Sequence, residues 1–146
     1  MGSHAPADTS LAYQDLRPDD IIGSVESLGF ATDGRLLALN SYENRVYRVG
    51  IEDAAPLVAK FYRPGRWTDG AILEEHAFTE DLAGEEIPVV APLRRNGATL
   101  HFHGVFRFAV YPCHGGRAPE LDDLALLRQL GRLVARIHLV GARSPF

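Results

Sequence analysis

Leu57-Val58-Ala59-Lys60-Phe61-Tyr62 sets five apolar or aromatic side chains around one lysine. The run is short and rich in strand formers, and it predicts a buried β-strand. A lysine in such a strand either snorkels its stem out to water or meets a negative partner. Downstream, Glu74 and Glu75 lie in a segment of helical periodicity, so an acidic partner is available on a neighbouring element.

Before the lysine strand, residues 36–39 and 46–49 read as two more strands. The polar, glycine-free segment Asn40-Ser41-Tyr42-Glu43-Asn44-Arg45 separates them, and a turn over residues 53–56 leads into the third. Three strands joined by short links predict an antiparallel meander. Further upstream, Pro18-Asp19-Asp20 opens a short helix: proline suits the first turn and the acids suit its positive end. Ile21, Val25 and Leu28 share one face, and Gly29 is placed to end it. Residues 1–15 are small, polar and aperiodic and predict a flexible tail.

After the lysine strand, Arg63-Pro64-Gly65-Arg66 breaks the chain, and Thr68 is placed to cap a helix with Trp67 and Ile72 as its hydrophobic staple. Ala71, Glu75, Phe78 and Leu82 fall on one stripe, which predicts Glu75 on the inward face and Glu74 toward its edge. An acid there requires a cation. Residues 89–94 read as a strand, Asn96-Gly97 as a tight hairpin turn, and residues 98–103 and 105–111 as returning strands. Pro112-Cys113-His114-Gly115-Gly116 interrupts the pattern and predicts a boundary between lobes. Asp122 or Asp123 starts a last helix, with Leu127, Val134 and His138 on one stripe and Leu130 on its flank. Arg128, Arg132 and Arg136 form a solvated row.

The 146 residues suffice for one domain with a real core, and 46% hydrophobic and 23% charged residues are ordinary globular values. A formal net charge of -4 argues against nucleic acid or an anionic membrane as partner. One cysteine, Cys113, excludes an internal disulfide and suits a reducing compartment. No apolar run has transmembrane length, and residues 1–10 lack the apolar centre of a secretion signal.

The order of elements is strand, polar loop, strand, lysine strand, glutamate helix, hairpin, apolar strand, Gly-rich link and helix. That is the order of a kinase small lobe, its hinge and the first helix of the large lobe, in which a strand lysine and a helix glutamate hold ATP phosphates. The blocks Asn40-Ser41-Tyr42-Glu43-Asn44-Arg45-Val46-Tyr47, Val58-Ala59-Lys60-Phe61-Tyr62-Arg63-Pro64, Arg66-Trp67 and Ile72-Leu73-Glu74-Glu75-His76 resemble the bacterial stress response kinases. These form a branch of the aminoglycoside phosphotransferase/choline kinase-like group, and the resemblance runs from about Leu16 to Gly141.

The resemblance implies an α+β fold: an antiparallel sheet of about five strands with one packed helix, a short N-terminal helix and a C-terminal helix beyond the hinge. It divides the chain into a tail (1–15), a kinase-like N-terminal lobe (16–112), and the hinge with the first helix of a truncated C-terminal lobe (113–146). It implies a cytoplasmic serine/threonine protein kinase of the stress response that uses ATP and Mg²⁺. Lys60 would bind the α- and β-phosphates and Glu75, with Glu74 as fallback, would fix its ammonium. Asn40, Ser41, Tyr42, Glu43, Asn44 and Arg45 would replace the usual Gly-rich phosphate loop. Val110, Tyr111 and Pro112 would meet adenine as the hinge. A catalytic loop of the HGD-x-H-x-x-N kind and a later metal-binding aspartate are absent: His103-Gly104 is followed by Val105. The resemblance therefore implies no catalytic residue and no metal ligand in this chain, and no phosphotransfer by it alone. A small-molecule phosphotransferase and a non-catalytic nucleotide-binding or interaction module are the alternatives. An open apolar flank on the last helix, Leu127, Leu130, Val134 and Ile137, predicts either self-association, with the helix packed against another copy of the chain, or a helix frayed beyond Gly116.

His101 and His103 alternate with Phe102 and read as a solvent-facing pair rather than a metal site. His138 reads as a hydrogen-bonded core histidine, Cys113 as an inert thiol and Trp67 as the staple alone. Neither a G-x-S-x-G nor a G-x-G-x-x-G pattern is present.

Overall fold

The computed structural model describes residues 15–145, so the expected tail lies, but for Asp15, outside the described residues. Helix α1 (Pro18–Glu26) opens as expected, with Pro18 in its first turn and the Asp20 carboxylate accepting from the Arg17 N–H at 2.9 Å. The chain leaves it through Gly29, whose φ of 90° lies in the left-handed region that glycine adopts without cost.

Strands β1 (Thr32–Leu39), β2 (Arg45–Ile51) and β3 (Ala54–Phe61) form the antiparallel meander. Strand β3 begins earlier than the sequence suggests: the turn is Glu52-Asp53, with Asp53 at φ 53°, and Pro56 lies inside the strand. The register shifts between Val49 and Ile51, and this irregularity accommodates a residue that cannot donate to the ladder.

After helix α2 (Asp69–Gly84), residues 89–94 are not a strand: Pro88 and Pro92 remove two donors, and the backbone makes single bonds such as Leu93 N–H to the Val110 carbonyl, 2.8 Å. Asn96 and Gly97 both have positive φ, 50° and 75°, as a type I′ turn requires. Strand β4 is only His101–His103, and β5 runs Phe106–Pro112. The five strands form one antiparallel sheet in the order β1-β2-β3-β5-β4. Helix α3 (Leu124–Gly141) follows, capped by the Asp123 carboxylate. This is the α+β, kinase-like small-lobe architecture expected.

Alternation along β3 decides what covers each face of the sheet. Leu57, Ala59 and Phe61 point to one side and join Val49, Phe108 and Val110 beneath Ile21 and Val25 of α1. Phe61 is the centre of that core, stacked on Phe108 at 5.4 Å and edge-on to Tyr47 and Phe106. Tyr62, with Ala109 and Tyr111 from β5, faces Ile72 of α2 on the other side. A third cluster, Leu82, Ile87 and Val140 with Phe78 and Ile137, seats the end of α3 on the end of α2.

That docking corrects the phase of the last helix. Leu126, Leu130, Leu133, Ile137 and Val140 turn inward, whereas Leu127, Val134 and His138 are exposed. His138 is therefore no core histidine. Arg136, expected to be idle, donates to the Glu85 carbonyl at 3.0 Å, and Arg143 pairs with the Glu85 carboxylate at 2.6 Å.

Candidate functional site

Lys60 lies on the α2 side of β3 and lines a cavity of about 500 Å³ between strand and helix. Asn44, Tyr62, Trp67, Ala71, Ile72, Glu74, Glu75 and Phe78 complete the wall. Lys60 is the only lysine in the chain. Both candidate glutamates share its cavity, but the expected ion pair is not formed. Among the described residues Lys60 has no ion pair, and its Nζ lies over the Tyr62 ring, 5.1 Å from the centroid.

The inward placing of Glu75 is also corrected. The buried face of α2 is Ile72, His76 and Leu82: it keeps Leu82 of the expected stripe but runs through Ile72 and His76 in place of Ala71 and Glu75, and Glu74 and Glu75 are both exposed at the cavity mouth. The physical reason is His76. At 1% exposure it occupies the middle of the buried face, where both ring nitrogens find partners: Nε2 meets the Tyr62 hydroxyl at 2.7 Å and Nδ1 the Thr99 hydroxyl at 2.9 Å. A satisfied neutral imidazole can be buried; a carboxylate without a cation cannot. Burial holds His76 below the usual histidine range, with the nearby Glu75 carboxylate acting upward and Lys60 downward. The Tyr62 hydroxyl also meets that of Tyr111 at 3.3 Å. Burial pushes both phenols up, so they remain protonated.

The loop before β2 is tied to the loop after β3. Asn44 Oδ1 accepts from the Arg63 N–H at 3.2 Å, and Glu43 pairs with Arg66 at 2.9 Å. Of the six predicted loop residues only Asn44 lines the cavity; Asn40, Ser41 and Tyr42 are exposed, and Tyr42 stands fully in solvent. The 63–69 segment is in turn held by Arg107 of β5. Its guanidinium donates to the Trp67 carbonyl at 2.9 Å, to the Asp69 carboxylate at 2.7 Å and to the Arg63 carbonyl at 3.3 Å. Between Trp67 and Asp69, the Thr68 hydroxyl accepts from the Ala71 N–H at 3.1 Å and caps α2 as expected. Trp67 is more than a staple, since it also walls the cavity. Val110, Tyr111 and Pro112 close β5 outside the cavity; Val110 is buried, its carbonyl already taken by Leu93, while Tyr111 reaches the site through Tyr62.

The sequence matches the phosphotransferase enzyme family (APH) over residues 35–146, which takes in the cavity, its loops and every strand but the start of β1. The chain belongs to this family. Among curated members it is 44% identical over 138 residues to Stress response kinase A of Escherichia coli strain K12, covering 94% of this chain and 42% of that protein. It is 42% identical over 139 residues to Serine/threonine protein kinase RdoA of Salmonella typhimurium strain LT2, covering 95% of this chain and 42% of that one. The chain thus spans under half the length of these relatives. Among solved structures, amicoumacin kinase hAmiN in complex with AMP-PNP, Ca²⁺ and Ami superposes with a TM-score of 0.70 at 20% identity. It covers 84% of this chain and 40% of that one, and the likeness establishes the shared fold.

Within this phosphotransferase fold the sequence missed His76, Tyr62, Thr99 and Arg107 as builders of the site. A histidine four residues after Ile72 on one helical face, in reach of a strand-end tyrosine, was the available signal. His101 and His103 do not form a solvent-facing pair. His101 is buried against Phe108 because α1 covers that face, with His103 close to Gly23, and it is Phe102 that points out at 60% exposure. Among the described residues no helix is long and apolar enough to cross a membrane.

Proposed function

We propose that the Lys60 cavity binds the phosphates of ATP, and that the chain is the nucleotide-binding lobe of a protein kinase. The observation that carries this is the placing of the single lysine in a cavity shared with two exposed glutamates and Asn44. An ammonium on a flexible stem suits phosphate oxygens as a point charge. Glu75, with Glu74 as the alternative, would steady Lys60 once its ammonium leaves the Tyr62 ring. Asn44, held by Arg63, would offer its amide from the loop, with residues 40–43 and Arg45 closing over the nucleotide. Since the Val110 carbonyl is engaged by Leu93, adenine would be met by the backbone from Tyr111 onward, with Pro112 beside it.

The cavity volume lies in the range of small-ligand sites, and Trp67, Ile72 and Phe78 give it an apolar wall beside the charged groups. No group of three or more metal-ligating side chains is assembled among the described residues. Mg²⁺ would arrive on the nucleotide, with its remaining ligands supplied by the second lobe. ATP supplies the phosphoryl group; the chain's own residues bind and orient it. Residues 16–112 would then be the N-terminal lobe and residues 113–146 the start of the second, and the protein would act in the cytoplasm, where ATP is supplied. One of the two curated relatives bears the name of a serine/threonine protein kinase, which supports protein Ser/Thr as acceptor over a small molecule. Calorimetry with AMP-PNP and Mg²⁺ tests the reading: binding should be lost in Lys60→Ala at unchanged circular dichroism. Equal binding by the two chains contradicts it.

A further inference from the structure

Among the described residues, one side-chain hydrogen bond ties helix α2 to the end of the lysine strand. Lys60 and Tyr62 are two residues apart on the same face of the chain, and Glu75 and His76 are adjacent on the helix. No ion pair joins Lys60 to the helix, and the Tyr62 hydroxyl and His76 Nε2 meet at 2.7 Å instead. Packing alone does not require a histidine there, for an apolar side chain would fill the space between Ile72 and Leu82. What the hydrogen bond adds is a fixed length and direction, so it sets both the distance of α2 from β3 and its rotation. The Nδ1 contact with Thr99 holds the ring from the far side, so the imidazole cannot turn away.

We propose that Tyr62 and His76 are positioning residues: their hydrogen bond sets helix α2 so that Glu74 and Glu75 stay on the cavity that holds Lys60. The nucleotide-binding role of the cavity rests on the reading above; the mechanical role of the pair does not. Neither polar atom of the pair belongs to a group assigned to the nucleotide. Tyr62→Phe keeps the ring beneath Lys60 and removes only the hydroxyl, and it leaves His76 Nε2 buried without its partner.

The test uses the 146-residue chain with three readouts. They are amide exchange across residues 69–84, the rate at which acetic anhydride acylates Lys60 by peptide mapping, and the AMP-PNP dissociation constant with Mg²⁺. Val25→Ala, in the core on the opposite sheet face, is the control for a general loss of stability. Tyr62→Phe should speed exchange across α2 at least tenfold beyond the control, change Lys60 acylation at least threefold and weaken AMP-PNP about fivefold. The double change with His76→Leu should cost less than the two single changes summed, because both remove the Tyr62–His76 bond and only His76→Leu also removes the contact with Thr99. If Tyr62→Phe does not fold, His76→Gln, whose amide still reaches the hydroxyl, replaces it. Its acylation rate should stay within twofold of wild type while that of His76→Leu does not. Exchange and acylation within twofold of the control in Tyr62→Phe, or equal rates in His76→Gln and His76→Leu, overturn the proposal. A wild-type chain that does not bind AMP-PNP refutes the phosphate reading instead, and exchange and acylation then decide the positioning role by themselves.

Discussion

Arg107→Met removes a guanidinium that holds the wall of the cavity from β5 while leaving a stem of similar length. Its bond to the Trp67 carbonyl, at 2.9 Å, is a charge-assisted contact worth roughly 1.5 kcal/mol. The pair with Asp69 is short, but Asp69 is half exposed, so about 0.5 kcal/mol is the reasonable share. The 3.3 Å contact with Arg63 adds only a few tenths of a kcal/mol, roughly. The expected loss is therefore about 2 kcal/mol, and Arg107→Lys should recover roughly half of it because an ammonium meets one of these acceptors well. Trp67 is the only tryptophan, so its fluorescence reports on this loop while circular dichroism reports on the whole fold. In urea, Arg107→Met should show the tryptophan signal shifting before the dichroism, where the wild type shows one transition. A loss under about 0.5 kcal/mol with coincident transitions refutes the view that Arg107 secures the segment carrying Trp67 and the cap of α2.

His76 and His101 are both held below their ordinary value of 6.5, by burial first in each case. The unfolded chain then binds more protons as pH falls through 6.5, so stability should be flat above that pH and decline below it, as urea midpoints between pH 5 and 8 will show. His101→Phe removes the ring nitrogen Nε2, which is buried with no hydrogen-bond partner, beside Phe108. It should raise stability at pH 7 by about 1 kcal/mol and flatten the acid decline, both read from the same midpoints. Leu82→Ala, in the cluster that seats α3, should cost about 2–5 kcal/mol and speed amide exchange across residues 124–141 more than across β3.

The central sheet was legible because a short run of strand formers bounded by turn residues is a local signal. Residues 57–62 are such a run, and the I′ turn at Asn96-Gly97 and the Thr68 cap follow from single residues whose chemistry admits few other places. What the sequence hid were matters of phase and partner. On α2, a stripe through Ala71, Glu75, Phe78 and Leu82 competes with one through Ile72, His76 and Leu82. The second prevails because Tyr62 and Thr99, distant in sequence, satisfy its histidine. On α3, Leu127 and Leu130 are equally apolar, and only the position of Leu82 and Ile87 selects which side is buried. In β4 the inward side is set by pairing His101 with Phe108 and by α1 above it, neither of which is visible in the three residues themselves. Lys60 was found from its strand, but its rest position over Tyr62 depends on a ring orientation that no pattern encodes.

With one lysine in the chain, lysine labelled with ¹³C gives a single ε-methylene resonance, a direct probe of the cavity. Titration with AMP-PNP and Mg²⁺ should move that resonance saturably, while adenosine, which has no phosphate, should leave it in place. A resonance unmoved by millimolar AMP-PNP in the folded chain would contradict the claim that Lys60 receives nucleotide phosphates.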